Sequence, residues 1–198
     1  MPRYRLCDEL DFAFGWIADG PVPRTSHALL ADGVWLVEPV DVPGLDERVA
    51  ALGEPRGVLQ LLDRHNRDCA AVAQRLGVPH HRLGTGPFEP IDLVRLPGWR
   101  ELALWWPERR VLVAADAVGT LPYFCEPGAV LGIHPFLRLT PPRKLGRLEP
   151  LHVLVGHGEG VHEDAAGELR RALVRSRRGL LPALLNGIRN GGAVVSNP

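Results

Sequence analysis

Residues 151–178, LHVLVGHGEGVHEDAAGELRRALVRSRR, indicate the fold class. The stretch opens with an apolar run typical of a buried strand, passes through Gly156-His157-Gly158, and continues with helical periodicity. Glu163 and Asp164 fall in the expected first helical turn, where acidic side chains interact favourably with the helix dipole. A strand that leads through a glycine-rich turn into a helix is typical of an α/β protein.

Two earlier segments repeat the pattern of an apolar strand followed by a polar loop. GVLQLL (57–62) predicts a buried strand, and NRDCAAVAQRLG (66–77) predicts the helix that follows it. RRVLVAAD (109–116) predicts a strand that ends at Asp116. Ligands of α/β proteins bind most often at the carboxyl ends of strands, so we expect these loops and Gly156-His157-Gly158 to meet at one sheet edge.

The other segments complete a layered arrangement. FAFGWI (12–17), HALL (27–30) and VWLVEPV (34–40) predict antiparallel strands, with a hairpin turn at Asp32-Gly33. A helix is predicted over LDERVAALG (45–53), because Leu45, Val49 and Leu52 have helical spacing and Gly53 suits a C-cap. The remaining predictions are strands at IDLVRL (91–96) and ELALWW (101–106), a loop with one short helix over 117–150, and a short helix at LLPALLNGIRNGG (180–192). The sequence predicts a single α/β domain over residues 1–198.

Composition and charge exclude several classes of function. The chain has 198 residues, 23 Lys+Arg and 23 Asp+Glu, so it lacks the basic excess of a nucleic-acid-binding protein. No apolar run approaches the about 20 residues that a membrane span needs. Three scattered cysteines, Cys7, Cys69 and Cys125, argue against a disulfide framework and a zinc knuckle. With one lysine among its basic residues and abundant Ala, Gly and Pro, the sequence suggests a bacterial genome rich in G and C. The N-terminus mixes charges into its apolar residues, which together with the lack of a long apolar run suggests a cytoplasmic protein.

Three stretches together resemble the metallo-β-lactamase-fold hydrolases. HALLADGVWLVEPVD (27–41) is similar to the opening hairpin of that family, and RRVLVAADAV (109–118) to its strand ending in Gly-Asp. LHVLVGHGEGV (151–161) resembles its closing Gly-His-Gly motif, which is the most specific of the three. The resemblance runs from about His27 to Arg178. It implies an αββα sandwich, in which two facing mixed β-sheets are flanked by helices.

The family's His-x-His-x-Asp-His motif is only partly retained. Aligned from position 63, the motif has Asp63 for its first His, keeps His65, and has Arg67 for its Asp and Asp68 for its last His. Trp99 occupies the position that the family gives to a later His in a Pro-Gly-His turn. Most of the two-metal ligand set is therefore replaced.

A register one residue later is an alternative alignment of the motif. It places Asp68 on the motif's Asp and Cys69 on its last His, and it leaves Arg64 and Asn66 at the first two ligand positions. This alignment discards His65. We prefer the first alignment because it keeps more metal-ligating side chains.

The resemblance implies a reduced metal site. Asp116 matches the family's bridging carboxylate and His157 its final ligand. The expected metal ligands are His65, Asp116, His157, Asp63 and Asp68. Imidazole and carboxylate suit one divalent ion such as Zn, Fe or Mn, whereas the fixed positive charge of Arg67 disfavours a second ion. Equally, Arg67 and the neighbouring Asp residues could form a salt-bridged cluster that replaces the metal altogether.

These residues predict a hydrolase-like protein with at most one bound metal. Asp116 and His65 are the expected catalytic residues, which would act on a metal-activated water. Arg67 and Trp99 are expected to contact a small-molecule substrate whose class the sequence does not reveal. The alternative is a non-catalytic pseudo-enzyme that binds a small ligand or a protein partner in the same cleft. A homodimer is compatible with both.

The other histidines lack a partner pattern, and we expect structural roles for them. They are His27, His134, His152 and His162, with His80 and His81 at the start of an edge strand. His27 opens a strand near the expected site and is the first of them to reconsider.

Overall fold

The computed structural model describes residues 3–65, 67–178 and Leu185. Within these residues, one sheet contains six strands in chain order. They are β1 (Tyr4–Leu10), β2 (Ala13–Ala18), β3 (Arg24–Leu30), β4 (Val34–Val37), β5 (Pro55–Gln60) and β6 (His80–Arg82). Strands β1 to β4 pair antiparallel, and β5 and β6 are added in parallel.

The second sheet is also mixed. Its strands are β7 (Glu89–Leu96), β8 (Trp99–Trp106), β9 (Val111–Ala114) and β12 (His152–Val155), in the spatial order β12-β9-β8-β7. Strands β7, β8 and β9 are antiparallel, whereas β12 runs parallel to β9. A small antiparallel pair, β10 (Val118–Gly119) and β11 (Gly132–Ile133), lies between β9 and β12 in sequence.

Three α-helices occur in the described part of the chain: α1 (Leu45–Leu52), α2 (Cys69–Leu76) and α3 (Ala165–Arg175). Short 3₁₀ turns at Pro135–Leu137 and Arg143–Arg147 replace the single short helix predicted between 117 and 150. None of these helices combines the length and the apolar character that crossing a membrane requires.

Two apolar clusters define the layers. The larger lies between the sheets and includes Leu29 and Leu59 from the first sheet and Leu104 and Leu154 from the second. Helix α3 joins this cluster through Leu169. The smaller cluster covers the opposite face of the first sheet, where side chains of β2, β4 and β5 pack under α1 and α2; it includes Trp16, Leu36, Val49, Val58 and Val72. The layers are therefore helix, sheet, sheet, helix.

Tertiary contacts shorten two predicted helices. Helix α2 begins at Cys69 rather than Asn66, because the Asp68 backbone N–H donates to the Pro39 carbonyl and the Asp68 carboxylate accepts from the Asp41 backbone. Helix α3 begins at Ala165, because the chain before it pairs with β12 through a bridge between Val161 and Val153.

Strand β1 was not predicted, because charged residues interrupt its apolar positions; it is an edge strand with one buried residue, Cys7. Cys7, Cys69 and Cys125 are all buried. The helix predicted over 180–192 lies outside the described residues, apart from Leu185.

Candidate metal site

Three strand ends bring His65, Asp116 and His157 together, as the sequence predicted. Their possible ligand atoms all lie within 4.8 Å of one another. The Nε2 atom of His65 is 3.0 Å from Oδ1 of Asp116, and the Nε2 atom of His157 is 3.1 Å from the same oxygen. Parallel pairing of β9 with β12 explains why Asp116 and His157 are neighbours, because both strands end at the same sheet edge.

Backbone hydrogen bonds between the two sheets bring the loop after β5 to the ends of β9 and β12. After β5 the chain crosses to β8, where the Leu102 backbone N–H donates to the Leu61 carbonyl and the Asp63 backbone N–H to the Arg100 carbonyl. The Thr25 backbone N–H in β3 donates to the carbonyl of Gly156, next to His157. The loop that carries His65 therefore faces the ends of β9 and β12.

Both histidines are oriented by hydrogen bonds from Nδ1. His65 donates to Oε2 of Glu38 over 3.1 Å, and His157 donates to the Pro23 carbonyl over 2.8 Å. A carboxylate and a carbonyl only accept hydrogen bonds, so Nδ1 carries the proton in each neutral ring. Each Nε2 atom then presents a lone pair towards Asp116, which is the tautomer that binds a metal.

The inward oxygen of Asp116 is an orphaned acceptor. Oδ1 is buried and makes no hydrogen bond to any described residue, although two imidazole nitrogens lie about 3 Å away. Lone pairs that converge without hydrogen-bond geometry repel one another unless a cation lies among them. Two imidazole nitrogens and a carboxylate oxygen form a donor set that fits one divalent metal ion.

The pKa values of His65 and Asp116 also indicate that this site favours a positive charge. Burial lowers the pKa of His65, but the negative charge of Asp116 outweighs burial and raises that pKa to about 9. Burial likewise opposes ionisation of Asp116, and the positive charge of His65 holds its pKa well below the ordinary value. Without a metal ion, a proton on His65 supplies the positive charge at this point, and a divalent ion that binds there displaces that proton.

Two buried glutamates support the site, and the sequence analysis missed both. Glu38 follows β4 with φ of 49°, and its Oε1 accepts from the backbone N–H groups of Leu61 and Leu62. Glu101 in β8 accepts through Oε1 from the backbone N–H groups of Asp116 and Ala117, each over 2.8 Å. Acidic residues next to apolar strand positions, in VWLVEPV and ELALWW, were the available signal.

Burial makes Glu101 harder to ionise. The side chain of Glu101 is 1% exposed, and burial together with the nearby charge of Asp116 raises its pKa to about 7. Its second oxygen accepts from Nε1 of Trp99 over 3.1 Å. Glu101 thus fixes both the Asp116 loop and the Trp99 ring.

Arg67 is committed to the protein rather than open to a substrate. Its side chain is 2% exposed, and its guanidinium donates to the carbonyls of Thr25, Glu38 and Gly156. Its nearest carboxylate among the described residues is that of Glu38, with Nε 3.8 Å from Oε2. The salt-bridged cluster that the sequence suggested with neighbouring Asp residues is therefore replaced by main-chain hydrogen bonds and Glu38.

The structure places Asp63 and Asp68 apart from the three converging ligands. Asp63 accepts a hydrogen bond from the Arg100 backbone over 3.0 Å, and Asp68 accepts from the Asp41 backbone over 2.8 Å. Neither belongs to the group of closely spaced ligand atoms in the described residues. Both carboxylates accept hydrogen bonds from backbone N–H groups and thereby hold loops in place.

Trp99 lies beside the site, but its ring is covered. The residue is 5% exposed, and the guanidinium of Arg64 lies over the ring at 4.1 Å from its centroid. The ring of His134 packs against it edge-to-face, with centroids 4.8 Å apart. The alternative motif register finds no support here, because His65 belongs to the converging group and Cys69, the first residue of α2, is buried in the smaller apolar cluster.

Other histidines make structural contacts. His27 is buried and lies 3.1 Å from the carboxylate of Asp8, which also binds His162 at 2.9 Å. His152 and His162 share a hydrogen bond between their Nδ1 atoms. His134 caps a 3₁₀ turn by accepting from the Phe136 backbone, and burial lowers its pKa to about 4.

Comparison with known proteins identifies the fold. No protein-family model matches the chain, and no curated protein matches it by sequence. A metallo-β-lactamase from Pontibacter korlensis aligns with a TM-score of 0.58 and 12% identity over 87% of this chain and 99% of its own. A metallo-β-lactamase from Erythrobacter litoralis aligns with a TM-score of 0.58 and 10% identity, over 88% of this chain and 92% of its own.

A third solved structure, the mono-zinc form of the metallo-β-lactamase FIM-1 from Pseudomonas aeruginosa, has a TM-score of 0.54 and 9% identity. The alignment covers 89% of this chain and 97% of that one. Identities this low show the fold and nothing finer. The αββα sandwich of the metallo-β-lactamase type, predicted from the sequence motifs, is confirmed.

Proposed function

We propose that this chain is a metal-dependent hydrolase with a single divalent ion held by His65, Asp116 and His157. The observation that carries the proposal is the convergence of two Nε2 atoms on a buried carboxylate oxygen that makes no hydrogen bond to any described residue. Glu38 and the Pro23 carbonyl fix the Nδ1 hydrogen bonds, so both Nε2 atoms already point at Asp116 before any ion arrives.

One ion, rather than two, is supported by Arg67. Its buried guanidinium lies close enough to His65 to oppose protonation of that ring, and it takes the motif position where the family has an Asp ligand. A fixed cation there repels a second metal ion. Glu38 balances the charge of Arg67, which leaves the charge of Asp116 for the first ion.

The three ligands leave coordination positions open, as in catalytic rather than structural sites. A bound divalent ion supplies a water of lowered pKa, and hence a hydroxide nucleophile near neutral pH. Glu38 holds the His65 ring, and Glu101 holds the backbone of Asp116, so both ligands stay in one geometry. The names of the structural neighbours make β-lactam hydrolysis the first reaction to test, followed by other acyl and phosphoryl bonds.

The first test is metal content in the full chain, purified without a histidine tag. We expect about one zinc ion per chain by elemental analysis and calorimetric titration, and loss of that ion in the double variant His65→Ala/His157→Ala. His81→Ala is the matched control, because His81 lies in the edge strand β6 away from the site.

Activity forms the second part of the test. The zinc-loaded chain is assayed with a chromogenic β-lactam, an aryl ester, a thioester and an aryl phosphodiester, and any turnover should vanish in the double variant. A parent chain that binds no divalent ion would overturn the proposal and favour the non-catalytic alternative. Zinc binding without turnover of any substrate would overturn the hydrolase assignment but keep the metal site.

A further inference from the structure

Arg64 differs from the other arginine beside the site in being open to solvent. Its side chain is 39% exposed, whereas that of Arg67 is 2% exposed. Arg64 immediately precedes the ligand His65, and its Nη2 donates to the outer oxygen, Oδ2, of Asp116 over 3.3 Å. Arg64 therefore lies on the solvent side of the ligand group, and Arg67 lies behind it.

The Arg64 guanidinium has hydrogen-bonding capacity to spare. A guanidinium has five N–H donors, and among the described residues the structure records one hydrogen bond from this group, at 3.3 Å. Every hydrogen bond of the Arg67 guanidinium, by contrast, ends on a main-chain carbonyl. Arg64 is thus the arginine beside the site whose N–H groups remain able to bind a substrate.

Trp99 holds this guanidinium in place. The group lies over the indole ring at 4.1 Å, a favourable cation–π distance. The ring itself is fixed through Nε1 by Glu101 and at its edge by His134. A guanidinium stacked on a fixed ring is already oriented, so it loses less conformational entropy when it binds a planar or tetrahedral anion.

The charge balance at this face is positive. Glu38 is matched by Arg67, and Glu101 is buried behind Asp116 with its oxygens used by backbone N–H groups and Trp99. With a divalent ion bound, the charges at the site that remain are those of the ion, the Asp116 carboxylate and the Arg64 guanidinium. The sum is positive and favours an anionic substrate.

We propose that Arg64 is a substrate-binding residue that anchors a carboxylate or phosphoryl group, so that the proposed hydrolase acts on anionic substrates. The anion would take two N–H groups of the guanidinium, replacing the long contact to Asp116. This inference rests on the metal site proposed above. It assigns to Arg64 the role that sequence reasoning gave to Arg67, whose donors the protein itself uses.

The test measures anion binding rather than turnover. Phenylphosphonate, phenylacetate and the neutral analogue benzamide are titrated into the zinc-loaded chain, followed by calorimetry and by the tryptophan fluorescence that Trp99 contributes. We expect Arg64→Gln to weaken binding of an anionic probe about tenfold or more, as the loss of a charge-assisted hydrogen bond would. Arg64→Lys should fall between, because lysine keeps the charge but lacks the two-pronged geometry.

Arg82→Gln is the matched control. Arg82 is an exposed arginine that donates to the Asp63 carbonyl in the same loop and makes no described contact with the three ligands. Its anion affinity should equal that of the parent chain, and benzamide should bind all variants alike. The stronger of the two anionic probes distinguishes a phosphoryl from a carboxylate substrate.

Zinc affinity is measured first in every variant, which separates the two proposals. Zinc binding with equal anion affinity in the parent, Arg64→Gln and Arg82→Gln would overturn the role of Arg64 and leave the metal site standing. Absence of zinc binding in the parent chain would overturn the metal site and this inference with it. Circular dichroism of Arg64→Gln and Arg64→Lys checks that both fold, as expected for a partly exposed side chain.

Discussion

At the scale of single residues, Glu38 determines which nitrogen His65 presents to the site. Its Oε2 accepts the Nδ1 proton of His65, while Oε1 accepts from two backbone N–H groups of the following loop. The left-handed backbone of Glu38, at φ of 49°, is uncommon for a residue other than glycine. We infer that this conformation is tolerated because it aims the carboxylate at the His65 loop.

Replacing Glu38 by Gln should therefore weaken metal binding. The amide can present an N–H to Nδ1 of His65, which moves the ring proton to Nε2 and removes the lone pair that faces Asp116. We expect zinc affinity to fall about 10–100-fold, as is typical for partners that orient metal-binding histidines. Calorimetric zinc titration measures the effect, with Glu54→Gln as the exposed control. Unchanged zinc affinity in Glu38→Gln would contradict this role.

At the scale of elements, the parallel pair β9 and β12 sets the distance between Asp116 and His157. The strands end side by side, and the Gly156 backbone N–H donates to the carbonyls of Ala114 and Ala115. A Cβ atom at Gly156 would lie 2.4 Å from the Ala115 carbonyl oxygen, closer than any real contact. Glycine is required here because the two ligand-bearing turns touch through their backbones.

Gly156→Ala should accordingly force these turns apart. We expect a loss of stability of about 2 kcal/mol, because the clashing atom is backbone and cannot rotate away. Zinc affinity should fall as well, since both ligand turns move. Gly20→Ala is the control, because a Cβ there would lie at an ordinary 3.6 Å from the Val22 carbonyl oxygen. Thermal melts and zinc titrations of both variants measure the effect; equal melting temperatures would contradict the steric argument.

At the scale of the whole molecule, the two sheets are joined around Asp8. This residue of β1 accepts from His27 of β3 and from His162 and the Gly160 backbone, which follow the His157 turn of the second sheet. Burial alone would raise the pKa of Asp8, but hydrogen bonds from His162 and His27 outweigh burial and hold the pKa far below its ordinary 3.8. Ionised Asp8 is therefore favoured in the folded state.

This shift predicts how stability changes in acid. A carboxyl group whose folded pKa is lowered contributes stability above its unfolded pKa, here about 3.8, and that contribution is lost as the pH falls further. Asp8→Asn should cost about 2 kcal/mol near pH 7, and its deficit should shrink below about pH 4. Urea unfolding of both chains at several pH values measures the difference. The exposed control Asp11→Asn should show little deficit at any pH; a deficit in Asp8→Asn that did not vary with pH would contradict the argument.

Local patterns in the sequence predicted most of the strands and helices and the polar residues at three strand ends. Apolar strands followed by short polar loops are local signals, and parallel strands necessarily end together, so Asp116 and His157 could be placed side by side. The resemblance of residues 27–41, 109–118 and 151–161 to metallo-β-lactamase-fold motifs sufficed to predict the sandwich, which the structural neighbours confirm.

Only the tertiary structure decided which charged residues face the site. Three charged residues occupy motif positions but form hydrogen bonds with backbone groups of segments distant in sequence: Asp63, Asp68 and Arg67. Glu38 and Glu101 reach the site from segments that are distant from it in sequence, so only the folded chain shows which ligand each one supports. Local sequence sets the secondary structure, but the partner of a buried charge is chosen by the chain segments that folding packs around it.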